Sequence, residues 1–270
     1  MATGVGVSSC CLSGVIHDGK PTGREETVAG IQTYIAEPSG DSKSKSIVLI
    51  TDVFGWKLSN VRLSADTYAK AGFYVYVPDF HEGQSLPIEF LKSVEPPLKE
   101  QAKLGTIDRA KNAATVASTL GPWLIAHREA HTKPKIDAFI NHLRTVPGTN
   151  KIGALGFCWG GRYALLAAHG EVDAAVAMHP SLFTVPGDFD PITKPVSIAL
   201  GDKDSLVDAT SRGSIQDTLA KKTDVPHEIR IYEDQVHGFA LRGDWSDEKD
   251  KTAMDEATQQ GIDWFKEYLA

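Results

Sequence analysis

The sequence predicts an α/β fold built on a mostly parallel central sheet, and three observations carry that expectation. Short apolar runs recur along the chain, helical patterns separate them, and the runs are continuous rather than alternating. A continuous run marks a strand covered on both faces, as parallel sheets require. Regular alternation of strand and helix then implies βαβ units with right-handed crossovers.

In chain order, the stretch up to about Gly30 is rich in Gly, Ser and Thr and is expected to form an irregular amino-terminal strap (1–30) ahead of a strand at Ile31–Ala36. Residues 47–50, 73–77, 152–155, 174–178 and 196–200 are the continuous apolar runs. Residues 228–232 alternate, as an outer strand does. Ile136, Phe139, Ile140 and Leu143 fall on one helical face, and Ala257, Gly261, Phe265 and Leu269 continue a terminal amphipathic helix. Residues 84–133 exceed what a simple crossover needs. They carry Pro96-Pro97, a helical run from about 98 to 120, and Gly121-Pro122 as a breaker before a turn containing Trp123. This helical insertion is expected either to cap a site or to pack on the sheet edge.

Composition keeps residues 1–270 together as one domain, since 41% hydrophobic and 23% charged residues suit a globular chain with a sizeable core and show no shift along its length. A net charge of −7, with no basic cluster beyond pairs such as Lys221-Lys222, argues against nucleic acid as a partner. Three cysteines are too few for a disulfide scaffold and suit a reducing, cytoplasmic setting. The first 20 residues lack the charged start and apolar run of a secretory signal, and no run of about 18 apolar residues suggests a membrane partner. Cys10-Cys11 has no companions at metal-ligand spacing and is given a structural role in the strap.

The sharpest local signal is Gly156-Phe157-Cys158-Trp159-Gly160-Gly161, between the run at 152–155 and a helical stretch from Arg162. It has the form of a nucleophile elbow with Cys in place of Ser. A sharp strand-to-helix turn strains the central residue, so its neighbours two positions away must lack bulk. The helix amino terminus beyond it favours a thiolate. A buried structural cysteine at a glycine turn is the competing reading. The remaining parts occur in the order nucleophile, acid, histidine that an α/β-hydrolase fold presents at its strand ends. Gly201-Asp202-Lys203-Asp204 follows one strand and Val236-His237-Gly238-Phe239 another. Asp202 and Asp208 compete with Asp204 for the acid, and His179 competes with His237, although His179 precedes the acid in sequence. His227 precedes its strand and so points to the wrong end. No phosphate loop or dinucleotide fingerprint is present, so no cofactor is implied.

On these motifs the chain resembles the dienelactone hydrolase family, also called carboxymethylenebutenolidases, from Ile31 to Leu269. Two further segments carry the likeness, Pro78-Asp79-Phe80 and Asp52-Val53-Phe54-Gly55. The resemblance implies an α/β-hydrolase fold and hydrolysis of a small ester or lactone through a Cys158-His237-Asp204 triad and a thioester acyl-enzyme. It implies an oxyanion hole from the backbone N–H groups of Val53 and Trp159. It also gives Asp52, in place of the family's usual Glu, a role in ionisation of the thiol. The family grips a substrate carboxylate with arginines. Here His81-Glu82-Gly83-Gln84 follows the first of these segments without an Arg, and Arg242 lies one place beyond the other expected position, so a neutral or larger substrate is expected. Trp56, Phe80, His81, Phe239 and Arg242 are the candidate pocket residues, with Trp159 as a further aromatic wall. The same site, kept dry, would also suit a non-hydrolytic biosynthetic step such as lactone closure, and a catalytically silent redox sensor is the alternative from outside enzymology.

Overall fold

The computed structural model describes residues 2–3, 14–40, 42–93 and 117–270. The strands are β1 (Ala2–Thr3), β2 (Arg24–Val28), β3 (Ile31–Ala36), β4 (Lys45–Ile50), β5 (Tyr74–Pro78), β6 (Lys151–Phe157), β7 (Ala174–Met178), β8 (Thr184–Val185), β9 (Val196–Gly201) and β10 (His227–Tyr232). β1 and β8 form a two-residue antiparallel pairing. The others make an eight-stranded sheet in the order β10-β9-β7-β6-β4-β5-β3-β2. It is parallel except where β3 runs against β2 and β5. The central strands β4, β6, β7 and β9 are buried almost throughout, as their unbroken Val, Ile, Leu and Ala content requires.

The helices are α1 (Ser59–Lys70), α2 (Glu89–Ser93), α3 (helical residues 117–126), α4 (Glu129–Thr145), α5 (Trp159–Ala167), α6 (Ala209–Leu219), α7 (Phe239–Arg242) and α8 (Glu248–Tyr268). They cover both faces of the sheet. On β6 the Gly153 position meets Phe265 of α8, while Gly156, of opposite parity along the strand, meets Gly160 of α5. The chain leaves β4 for β5 on one side and returns to β6 on the other. The carboxyl ends of β4 and β6 therefore border a topological switch point, where ligands bind in open α/β sheets.

Three local expectations are corrected. The strap is not irregular throughout, because Arg24–Val28 pairs with β3 through a turn at Ala29 and Gly30, both at positive φ. Its polar, exposed residues hide the strand from a hydrophobicity pattern, as befits an edge. Gly121-Pro122 does not break α3: burial of Leu120 and Trp123 and the Trp123 Nε1–H bond to Gln84 O (2.8 Å) hold that turn despite the missing proline N–H. The insertion also ends earlier than Lys133, since α4 begins at Glu129 and continues past Pro134. Buried Thr132 and Ile136 and the Lys133 bridges to Asp137 and Glu171 anchor that turn. Cys10-Cys11, Pro96-Pro97 and most of the helical run expected from 98 to 120 lie outside the described residues.

Candidate active site

Cys158 joins β6 to α5 at φ 53°, ψ −115°, a region that costs a non-glycine residue about 1–3 kcal/mol. Packing enforces it. A Cβ on Gly156 would lie 2.1 Å from the Gly160 carbonyl oxygen, and one on Gly160 would lie 2.1 Å from that of Ile50. The elbow thus sits directly on the end of β4, with Gly160 of α5 against the Ile50 and Thr51 carbonyls that lead into the turn containing Val53. The Trp159 N–H, at a helix amino terminus, has no intrahelical acceptor. The neighbouring strand end completes the support: Cys158 N–H donates to Met178 O (3.1 Å), and Ser181 N–H donates to Cys158 O (3.1 Å).

The acid and histidine loops are stitched together in the same way. A Cβ on Gly201 would fall 2.1 Å from Gln235 O, and Lys203 N–H donates to that oxygen at 2.9 Å. The apposed loops place Asp204 Oδ2 2.8 Å from His237 Nδ1, with both side chains fully buried. Asp204 Oδ1 accepts the Leu206 N–H at 2.8 Å, which fixes the carboxylate. Burial alone would discharge the His237 ring, but the Asp204 carboxylate and the Cys158 sulfur, acting by charge and hydrogen bonding, hold it well above the ordinary histidine range. The competing residues are occupied elsewhere. Asp202 pairs with Lys203 (2.9 Å), Asp208 caps α6 through Ser211 N–H (2.7 Å), and His227 Nδ1 bonds Val225 O (2.8 Å) at the start of β10. His179 stands edge-on to His237 with ring centroids 5.1 Å apart.

Asp52, in the turn after β4, accepts the Phe54 N–H at 3.0 Å through Oδ1, and its Oδ2 lies 3.0 Å from Arg242 Nε. Both side chains are fully buried, so this is a buried ion pair. Burial pushes the Asp52 carboxyl up to about 6 against the pull of Arg242, with the Cys158 sulfur adding to the rise. Arg242 also lies over the Phe54 ring at 5.3 Å. The strap secures its backbone: Val15 N–H donates to Arg242 O (3.0 Å), and Asn60 Nδ2 donates to both Val15 O (2.8 Å) and Leu241 O (2.9 Å). Gly14 is so close that a Cβ there would lie 2.5 Å from Arg242 Cβ. Sequence reasoning kept Arg242 as a candidate pocket residue one place beyond the family's carboxylate-binding arginine; its guanidinium lies against Asp52.

His81 is buried, with Nδ1 3.0 Å from Ser85 Oγ and its ring edge-on to Trp123, His127 and Trp159. Burial, reinforced by His127, pushes its pKa down to about 3, so it is a neutral dipole. Trp56 lies under Arg62, Phe80 packs on Phe139, and Phe239 lies between His179 and Tyr232; these are core contacts. Sequence reasoning missed Ser181, whose Oγ is 3.6 Å from the Cys158 sulfur, and His127, which stacks on Trp123. Nothing in the spacing of Ser181 marks it, because its position depends on a loop reversing onto the elbow.

Among the described residues, no helix is long and apolar enough to cross a membrane. The model of the dienelactone hydrolase family matches residues 31–269. Hydrolase pyvD of Aspergillus violaceofuscus is 29% identical over 263 residues, 97% of both chains. The carboxymethylenebutenolidase homolog of Homo sapiens is 27% identical over 251 residues, 92% of this chain and 91% of the other. The crystal structure of a dienelactone hydrolase from Anabaena variabilis shares the fold, with a TM-score of 0.60 at 15% identity, covering 94% of this chain and 100% of that one. The chain belongs to the dienelactone hydrolase family and is an ester or lactone hydrolase of α/β-hydrolase fold.

Proposed function

We propose that the hydrolysis proceeds through a thioester on Cys158, with His237 as acid and base and Asp204 as its orienting carboxylate. The observation that carries this reading is the buried 2.8 Å bond from His237 Nδ1 to Asp204, on a ring charge-coupled to a cysteine held at positive φ. The Cys158 thiolate attacks the carbonyl carbon beside the protonated His237. The oxyanion forms against the backbone N–H groups of Val53 and Trp159, each donor of this kind being worth about 2.7–4 kcal/mol in the transition state. His237 Nε2 gives its proton to the leaving oxygen, then takes one from the water that attacks the thioester. The tetrahedral adduct collapses to the carboxylic acid with thiolate and imidazolium restored, and the acid leaves, giving its proton to solvent.

Asp52 and Arg242 set the charge around the sulfur. Arg242 keeps Asp52 ionised above about pH 6, and a neutral His81 with aromatic neighbours suits an uncharged or aromatic acyl group more than a carboxylate. A second reading, closure of a lactone by the substrate's own hydroxyl on the same thioester, is favoured by the near-complete burial of Cys158, His237, Asp204 and Asp52. A panel of aryl esters and enol-lactones, assayed before and after iodoacetamide with products identified, tests both. Turnover abolished by alkylation and in Cys158→Ala is expected, and full turnover in Cys158→Ala overturns the nucleophile. Free acid as product supports hydrolysis, and ring-closed product supports the second reading.

A further inference from the structure

The loop after β7 reverses onto the elbow. His179 and Leu182 take positive φ, Pro180 lies where a Cβ on Gly161 would meet it at 2.8 Å, and Ser181 N–H donates to Cys158 O. The backbone bonds of Cys158 to Met178 and Ser181 thus register this loop against the nucleophile. The result is a buried hydroxyl, that of Ser181, 3.6 Å from the sulfur. We propose that Ser181 is a positioning residue that donates its hydroxyl hydrogen to the Cys158 thiolate, holding the sulfur at the elbow and stabilising its charge. The role rests on Cys158 being the nucleophile.

The direction of that bond follows from where the proton lies. A thiolate accepts only, so beside a protonated His237 the serine must donate; beside a thiol, S–H would donate to serine and stabilise the uncharged form. The two cases predict opposite shifts when the hydroxyl is removed. The other groups that act on the sulfur's ionisation are His237 from the loop after β10 and Asp52 from the turn after β4. Arg242 stands behind Asp52, Asp204 behind His237, and His179 against the His237 ring. His179 is held neutral by burial and by the charges of His237 and Arg242, so it does not supply a competing charge.

The test is the pH profile of iodoacetamide alkylation at Cys158, followed by mass spectrometry of its peptide in the full chain. Ser181→Ala is expected to move the midpoint up by about one pH unit, with roughly tenfold slower alkylation below it. The isosteric pair Ser181→Thr and Ser181→Val repeats the comparison at constant volume: Thr is expected to keep the wild-type midpoint and Val to follow Ala. Unchanged midpoints in Ala and Val, or downward shifts, overturn the proposal. Because alkylation is read without turnover, its failure is distinct from failure of the nucleophile reading, which shows as activity surviving in Cys158→Ala.

Discussion

At the scale of single residues, the site is governed by charges buried together. Removing one member of such a pair exposes the desolvation cost of the other, about 3–5 kcal/mol for a fully buried ion pair. Arg242→Met is therefore expected to destabilise the protein by about that amount at pH 8, measured by urea unfolding. The loss is expected to shrink at pH 5, where Asp52, with its carboxyl near 6, takes up a proton in the fold. Adding Asp52→Asn should restore most of the stability at pH 8. An Arg242→Met variant as stable as the wild type at both pH values contradicts the buried pair.

At the scale of elements, backbone contacts through glycines bring the strand ends together. Gly160→Ala is expected to force a Cβ into the Ile50 carbonyl, costing about 1–3 kcal/mol in stability and lowering kcat/KM through displacement of the elbow. Unfolding and kinetics together check this; unchanged values for both would show that the elbow does not need the close approach. The elbow, the acid loop and the histidine loop were legible in the sequence because each follows a strand pattern, continuous for β6 and β9 and alternating for β10, and carries its own glycine. Less legible were β2, whose exposed Arg and Glu residues give no apolar pattern, and α1, whose buried face includes Asn60 and Asp66. Asn60 is buried because it ties strap to α7, and Asp66 because it accepts from Tyr34 OH and Thr22 N–H. Arg242 was seen as a candidate, but its partner was not, since that depends on the strap and α7 closing over Asp52.

At the scale of the whole molecule, buried histidines set the acid limit. His81 and His179 are both neutral in the fold, with pKa values below the ordinary range. Their contribution is full above the unfolded histidine pKa and is lost as pH falls, by about 2 kcal/mol for His81 between pH 7 and 5 and in the same direction for His179. Asp52 and His237 are raised, so their contributions are present at low pH and lost as pH rises, Asp52 offsetting about 1 kcal/mol over the same interval and His237 acting in the same direction. Stability is expected to fall between pH 7 and 5, and His81→Gln is expected to make that fall about 2 kcal/mol smaller. Parallel pH dependence of wild type and variant in urea unfolding contradicts a neutral, buried His81.

The most direct test of the central claim is to quench turnover of an aryl ester with acid and locate the acyl group by peptide mass spectrometry. The account predicts a hydroxylamine-labile adduct on the peptide carrying Cys158, absent in Cys158→Ala. An adduct on another residue, with turnover intact in that variant, would contradict it.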